Sequence, residues 1–375
     1  MGARRLVTDA TISQGEALHE VAEVTVIHRV PRGQSTAGWS TDALGLIPEG
    51  TAMAFAYGPA DSPSTFYGYV SAVSVKSANQ TRVDAFEVQV PVVYTLLGPT
   101  APMQQQVNRI WPTATASYIA RTLARAAGLR PQVQRSARVF QGLPQQAASD
   151  FAFLRSLADE VGYRLVAHGS TLWLTDPLVS LREPGEETPT FVYSKAGRDN
   201  VKSFQSTAGE TDPSGSIRAR REGYSYNRST GALIRQVAQS TKDARLVQYS
   251  TGRPFASQQE AQDVLNAEAL RDALWVNATM TVVGEPRLRP GTDLLLSGEA
   301  LGPDDPGAWM VRQATHRVSV APGRPSAGAY WTDVVLGRDR VGGLALKSRT
   351  GLLEDLPQGT LLIDGRWRAQ SLGEA

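Results

Sequence analysis

The chain has 375 residues, room for two or three domains, and its 38 basic and 36 acidic residues leave a formal net charge of +2. So even a balance excludes a protein that works chiefly as a polycation on nucleic acid or membrane, and the absence of cysteine excludes disulfides, thiol catalysis and cysteine-ligated zinc. The 34 glycines and 22 prolines fall among many short alternating runs, the composition of β-rich structure with frequent turns. No stretch reaches the roughly 20 apolar residues of a membrane-spanning helix. The residues MGARRLVTDATISQGEALHE lack the apolar core of a secretory signal.

Residues up to about 100 predict short strands. The segment from Glu23 to Arg29 alternates in part, and Thr51 to Tyr57, Phe66 to Val75 and Thr81 to Val90 follow. Gly58-Pro59, Asp61-Ser62-Pro63 and Ser77-Ala78-Asn79 separate them, a spacing that suits a small barrel or sandwich. Gly98 to Pro112 reads as a connector. Thr113 to Ala127 reads as a helix ended by Gly128, with Ile119, Leu123 and Ala127 as its buried stripe and Arg121 and Arg125 outside.

The run from Ser149 to Pro177, SDFAFLRSLADEVGYRLVAHGSTLWLTDP, is the most informative in the chain. Ser149 or Asp150 can cap a helix whose apolar face is Phe151, Leu154, Ala158 and Val161. Gly162 stands where a left-handed residue would end it. Tyr163, Leu165 and Ala167 then alternate with Arg164 and Val166. His168-Gly169-Ser170 turns the chain, Leu172 and Leu174 return it, and Asp176-Pro177 closes the unit.

Arg182 to Pro189 reads as a loop, and strands resume over 190–345. Ser216 to Tyr226 and Gly231 to Gln239 can pair about a turn at Asn227 to Thr230. One helix interrupts them: Ser257 with Glu260 fits a capping box, and Ala261, Val264, Leu265 and Leu274 supply an apolar face. Val276 to Val283 is the next strand. Beyond about 345 the chain turns polar, with one candidate hairpin, Thr360 to Ile363 and Arg366 to Arg368, about Asp364-Gly365.

An internal repeat links the two strand-rich regions. Gly50-Thr51 opens GTAMAFAYG, followed by a Pro-rich loop and FYGYVSAVSV; Gly291-Thr292 opens GTDLLLSG, followed by a Pro/Asp-rich loop and WMVRQATHRVSV. Each block ends in Val-Ser-Val and is followed by another strand, Arg82 to Val90 and Tyr330 to Leu336. Two similar small β-barrels per chain would explain it.

Residues that carry catalysis or bind metal are not brought together by spacing. His19, His28, His168 and His316 are scattered, with no HExxH, and there is no Walker loop, GxSxG elbow or dinucleotide fingerprint. His316 reads as a hydrogen-bonded histidine of a strand and His168 as a turn residue. Asp159-Glu160 fits the solvent side of a helix, and Glu186-Glu187 and Asp304-Asp305 fit exposed loops. Arg218, Arg220 and Arg221 form the densest basic run, read as a solvated strand face or as a contact to phosphate or to an interface. No catalytic, cofactor-binding or metal-binding residue is assigned, and no enzymatic activity is expected.

The helix-hairpin run resembles one in tail hub proteins of bacteriophages and related injection machines: late control gene D proteins, VgrG spike proteins and the baseplate hubs of contractile tails. The matching residues are Ser149, Asp150, Phe153, Leu154, Leu157, Ala158, Gly162 and Tyr163. The closing strands of that family's second barrel are matched by Gly284, Pro286, Leu288, Pro290, Gly291, Thr292, Trp309, Val311, His316, Tyr330 and Arg338. The pattern is one of packing rather than of chemistry.

The resemblance implies a mainly β chain with an α+β insert: a first β-barrel over 1–104, an insertion domain of helix and hairpin over 105–183, a second β-barrel with one helix over 184–345, and a C-terminal extension over 346–375. The extension reads either as a docking arm through Leu352, Leu353, Leu361 and Trp367 or as a strand completing its own barrel. The resemblance further implies a ring-like homotrimer whose six barrels adapt a sixfold tail tube to a threefold tip. Its partners would be the tail tube protein, distal tail or baseplate proteins and a central spike or fibre, with DNA passing through. It would be a virion part assembled in the bacterial host cytoplasm, with no cofactor. The hub of a contractile injection system or gene transfer particle has the same signature. A β-rich receptor- or glycan-binding module, using Trp39, Trp367, Tyr224 or Tyr226, and a virion-associated hydrolase are the readings from other classes. On the hub reading, charge reversal at the first barrel's exposed edge impairs tube docking without unfolding the chain.

Overall fold

The computed structural model of the chain describes residues 5–31, 46–59, 61, 63–76, 87–136, 138–183, 185–195, 200–207, 219–226, 230–239, 246–249, 255, 257–321, 324–339, 343–347, 352–354, 360–363 and 366–369. Trp39, Arg218 and the turn residues Asp364 and Gly365, all singled out above, lie outside them, as do residues 77–86 and 227–229. The protein is mainly β, with three α-helices among the described residues.

Five strands open the chain: β1 (Arg5–Gly15), β2 (Val21–Pro31), β3 (Ala52–Tyr57), β4 (Ser64–Val75) and β5 (Glu87–Leu97). They lie antiparallel in the order β1-β2-β5-β4-β3. Ile12, Val24, Phe66, Val92, Tyr94 and Leu96 face one core, as strand periodicity requires. The strand expected to end near Val90 runs on to Leu97. β1 has no counterpart in the sequence reading, because its run TDATISQ offers only Ala10 and Ile12 to an apolar face.

The insert departs from expectation at its start. The stretch read as a connector holds a 3-10 turn, Ala101–Gln104, and a strand, β6 (Gln106–Thr115). Helix α1 (Ala116–Ala126) therefore begins later than expected, where the Thr115 hydroxyl accepts from the Tyr118 N–H. Its stripe of Ile119, Leu123 and Ala127 is buried. Next come β7 (Arg130–Gln134) and β8 (Val139–Ser149), the latter pairing with β6. Helix α2 (Asp150–Val161) is capped by Ser149, whose hydroxyl accepts from the Ala152 N–H at 3.2 Å. It ends at Gly162, which is left-handed at φ 69°. Phe151, Leu154, Ala158 and Val161 are buried as read, joined by Phe153 and Leu157. The hairpin is β9 (Arg164–His168) with β10 (Thr171–Thr175), and β7 lies parallel to β10. Both faces of β9 are covered: Leu165 joins the insert core, while Val166 packs with Trp173 and Leu181.

The remaining chain forms β11 (Thr190–Val192), β12 (Val201–Thr207), β13 (Ala219–Tyr226), β14 (Leu233–Gln239), β15 (Leu246–Tyr249), α3 (Gln258–Arg271), β16 (Val276–Val283), β17 (Asp293–Ser297), β18 (Gly307–Ala321) and β19 (Arg324–Arg338). β13 and β14 pair as expected, but with β15 they make a separate sheet. Helix α3 covers it through Ala261, against Ile234 and Phe255. Ser257 caps α3, its hydroxyl accepting from the Glu260 N–H. Leu274, assigned to the helix by its spacing, lies past its end and packs with Leu178 and Met310. Three short strands close the chain: β20 (Leu352–Glu354), β21 (Thr360–Ile363) and β22 (Arg366–Ala369). β21 and β22 pair as the expected hairpin. β20 adds to the insert through β7, so Leu352 and Leu353 extend the insert sheet instead of completing a barrel.

The repeat is topological. β12, β16, β17, β18 and β19 lie in the order β12-β16-β19-β18-β17, strand for strand the order β1-β2-β5-β4-β3 of the first half. Gly50 and Gly291 both have positive φ, 79° and 87°. Gly50 N–H donates to Val70 O and Gly291 N–H to Val311 O, both at 2.7 Å. The register shifts after Val70 in β4 and after Val311 in β18, a bulge at the same place. The Gly-Thr openings are thus equivalent. The Val-Ser-Val endings are not, because counting on from the bulges makes Val75 the counterpart of His316, two residues before the second Val-Ser-Val begins at Val318. The two halves are also joined to each other by strand pairing. Past its bulge, β18 leaves β17 and pairs with β1, from Gln313↔Gly15 to Ser319↔Asp9. One 11-stranded sheet results, and no pairing among the described strands closes either half.

Candidate assembly interface

The seam between the halves is built where the β1–β2 turn meets the bulge of β18. Glu16 N–H donates to Arg312 O at 3.1 Å and Ala17 N–H to Leu165 O at 2.7 Å, so the turn touches the second half and the insert together. The Glu16 carboxylate accepts from Arg164 Nη1 and from Arg312 Nε, each at 3.4 Å. Arg164 is fully buried and also donates to the carbonyls of Pro177 and Val179. Burial pushes this guanidinium below the usual arginine range, and Glu16 opposes the shift. A buried cation with a carboxylate and backbone acceptors fixes geometry more than it adds stability. Periodicity had set Arg164 in simple alternation and could not show this role.

Each histidine serves packing. His316 is buried and meets the Thr332 hydroxyl at 3.1 Å and the Tyr330 hydroxyl at 3.0 Å, as a hydrogen-bonded strand histidine. Burial pushes its pKa down to about 3, with His168 adding to the shift. The Tyr57 ring of β3 lies tilted against it across the halves, with centroids 5.2 Å apart; burial, then Glu20, push that phenol up to about 12. His168 ends β9 rather than turning, and its Nδ1 lies 3.2 Å from Glu20 and 3.3 Å from Gln14 of β1. It joins insert to first half. His19 packs on Phe151 with ring centroids 4.1 Å apart and its Nδ1 2.7 Å from the Thr100 hydroxyl. Burial lowers its pKa. His28 lies 3.1 Å from the Tyr94 hydroxyl.

The acid pairs do not converge. Glu160, expected on the solvent side, is half-buried and bridges to Arg138 at 2.9 Å, with Glu260 of α3 3.8 Å from the same arginine; burial, then Glu260, raise its pKa. Asp305, expected in a solvated loop, organises that loop by accepting from the Gly302 N–H and the Ser206 hydroxyl. The carbonyls of Asp304 and Asp305 accept from buried Arg338, whose guanidinium lies 3.9 Å over the Trp309 ring. Glu186 pairs with Arg289 at 2.8 Å. Among the described residues no group of three or more His, Asp or Glu is placed to hold a metal ion, and no helix is long and apolar enough to cross a membrane. The backbones of Arg220 and Arg221 lie in β13. Tyr224 is exposed beside Arg235, 5.5 Å from its ring.

The sequence motifs have packing reasons. A Cβ on Gly162 would lie 2.1 Å from Ala267 O of α3, and one on Gly284 would lie 2.0 Å from the Tyr330 ring. Only glycine allows either approach. The Thr292 hydroxyl bonds the carbonyls of Arg287 and Arg289, closing the turn before β17.

Beside the first half's bulge lies a cavity of about 480 Å³ lined by Gly50, Tyr69, Val70, Ser71, Leu97 and Ala127, among others. Among the sheet edges without a partner in the described residues are the outer side of β12 and the part of β4 beyond its bulge, where β3 has ended.

These features define a β-rich scaffold made of two equivalent sheet units clamped by an insert. Solved structures share it. A 43 kDa tail protein of prophage MuSo2 from Shewanella oneidensis superposes with a TM-score of 0.60 at 14% identity, over 88% of this chain and 94% of that one. A tail protein from Neisseria meningitidis MC58 gives 0.58 at 9% identity, over 91% and 98%. The c3393 protein of E. coli, a component of the type VI secretion system, gives 0.55 at 11% identity, over 96% and 80%. No curated protein matches the chain. The sequence profile of the phage tail baseplate hub (GPD) family matches residues 18–321. The chain belongs to that family, structural proteins of the virion tail.

Proposed function

We propose that the chain is a homotrimeric adaptor at the tip of a phage tail. The observation that carries this reading is the repeated five-strand order, β1-β2-β5-β4-β3 and β12-β16-β19-β18-β17. Three copies of a chain with two equivalent units present six, which lets a threefold tip meet a sixfold tube through near-identical contacts. On this reading the tail tube protein sits above the ring. A central spike or fibre and other distal tail or baseplate proteins sit below, and DNA passes through the middle. Residues 105–183 act as an insertion domain beside the ring, and residues 346–375 as an extension, part of which docks on the insert. Assembly takes place in the host cytoplasm, with affinity from apolar contacts and from strand edges pairing between chains. The test is mass by multi-angle light scattering with particle imaging. A threefold ring with a pseudo-sixfold rim is the expected result; a chain that stays monomeric at every concentration and images as single particles overturns the reading.

A further inference from the structure

We propose that the unit formed by β13, β14, β15 and α3 is held on the insert by a proton-linked latch at Arg138, which grips more tightly when Glu160 is neutral. The unit is a sheet apart from the 11-stranded one, with α3 over it. It meets the insert where α3 packs on the end of α2, with Ala267 against Gly162. Glu160 stands two residues before that glycine, and Glu260 two helical turns before that alanine. Each partner of the contact thus brings one carboxylate, and Arg138 reaches both: 2.9 Å to Glu160 and 3.8 Å to Glu260. The latch acts within one chain and stands apart from the trimer reading.

Arg138 and Glu160 belong to the insert, and Glu260 to the other unit. With Glu160 ionised, Glu260 meets the attraction of the guanidinium and the repulsion of a like charge together. With Glu160 neutral the repulsion is gone and the attraction stays. Position along the helices widens the difference. Glu160 stands in the last turn of α2, where the helix dipole disfavours an anion, and Glu260 in the first turn of α3, where it favours one. Arg138 is fixed in place. It donates to the Glu160 carbonyl at 3.4 Å, and its guanidinium lies 4.7 Å over the Phe140 ring.

Among the described residues, the ionisable groups facing Glu160 are Arg138 from just ahead of β8, Glu260 and Asp263 from α3, and Tyr163 from just past α2. Arg138, Glu160, Tyr163 and Asp263 line a cavity of about 200 Å³. The Glu160 side chain is 35% exposed, so a proton reaches it from solvent. Burial, then Glu260, raise its pKa. The part due to Glu260 is reciprocal: as docking of α3 favours the proton, the proton favours docking of α3. A carboxyl whose pKa is raised on docking adds grip that is fully present below its ordinary value of 4.5 and is lost as pH rises through the raised value. Mild acid therefore tightens the latch, and at pH 7.5 it is at its loosest.

The test is hydrogen exchange of the full chain, read by mass spectrometry in peptides covering 258–271. Wild type, Glu160→Gln, Glu260→Gln and the double variant are compared with one another at each pH from 7.5 down to 5, so intrinsic exchange rates cancel in the ratios. Glu160→Gln keeps an acceptor for Arg138 and removes the charge. It should slow exchange in α3 about two- to fivefold at pH 7.5, the range of a partly exposed charge pair. That ratio should shrink toward one as pH falls, and Glu160→Gln should change nothing further in a chain that already carries Glu260→Gln. Unchanged or faster exchange in Glu160→Gln at pH 7.5 overturns the latch. The same slowing without Glu260, or a ratio that does not move with pH, overturns it too. Should Glu160→Gln fail to fold by circular dichroism, Glu260→Gln alone decides. Relative to that variant the wild type should exchange more slowly as pH falls, and a flat or reversed ratio overturns the latch.

Discussion

At the residue scale, Gly162 joins two elements with one absent side chain. Its φ of 69° ends α2, and its Cα faces the backbone of α3 at Ala267. A left-handed non-glycine residue and an overpacked contact each cost about 1–3 kcal/mol. Gly162→Ala is therefore expected to lower stability by roughly 3 kcal/mol or more in urea unfolding, where a loss under about 1 kcal/mol would show that α3 moves aside freely. The φ was legible in the motif; the contact with Ala267 was not, since it comes from a distant helix.

His316 gives a pH prediction. Its folded pKa lies near 3, below the ordinary value of about 6.5, so between these values the unfolded chain binds the extra proton. Its contribution is fully present above about pH 6.5 and is lost as pH falls toward 3, with a slope up to about 1.4 kcal/mol per pH unit. The urea midpoint should drop more steeply from pH 6.5 to 4 in the wild type than in His316→Gln. Parallel curves would mean that the buried imidazole accepts a proton without opening the seam.

At the scale of elements, the β1–β2 turn acts as a clamp. Removing the Glu16 carboxylate leaves Arg164 buried without its acidic partner, and breaking a buried pair costs about 3–5 kcal/mol. Glu16 is partly exposed, so Glu16→Ala is expected to destabilise by roughly 2–3 kcal/mol and Glu16→Gln, which keeps an acceptor, by less. Equal losses would place the effect in the turn's backbone. Helices α2 and α3 were readable in advance because Ser149 and Ser257 act on N–H groups three residues away. β6 was missed because the prolines and glutamines around it mimic a connector, and β1 because one face of it is polar until it meets β18.

At the scale of the whole molecule, β1 and β18 join two repeats into one sheet whose described strands run from β12 to β3. In the proposed trimer, association stabilises the folded chain by mass action. The thermal midpoint should then rise with chain concentration across the range where light scattering reports a trimer. A midpoint independent of concentration there would assign stability to the single chain.

The sequence by itself determined the mainly β class, the helix-hairpin unit, both serine caps, the Gly-Thr repeat and the family pattern. These depend on residues a few positions apart, and backbone geometry, capping and periodicity act over that range. Tertiary structure alone decided that the halves share a sheet, that Arg164 is clamped by Glu16, that His168 reaches Glu20 and that Gly162 touches α3. Each of these joins residues far apart in the chain. Which strand edges meet is set by long-range packing and register, and local pattern carries no record of them.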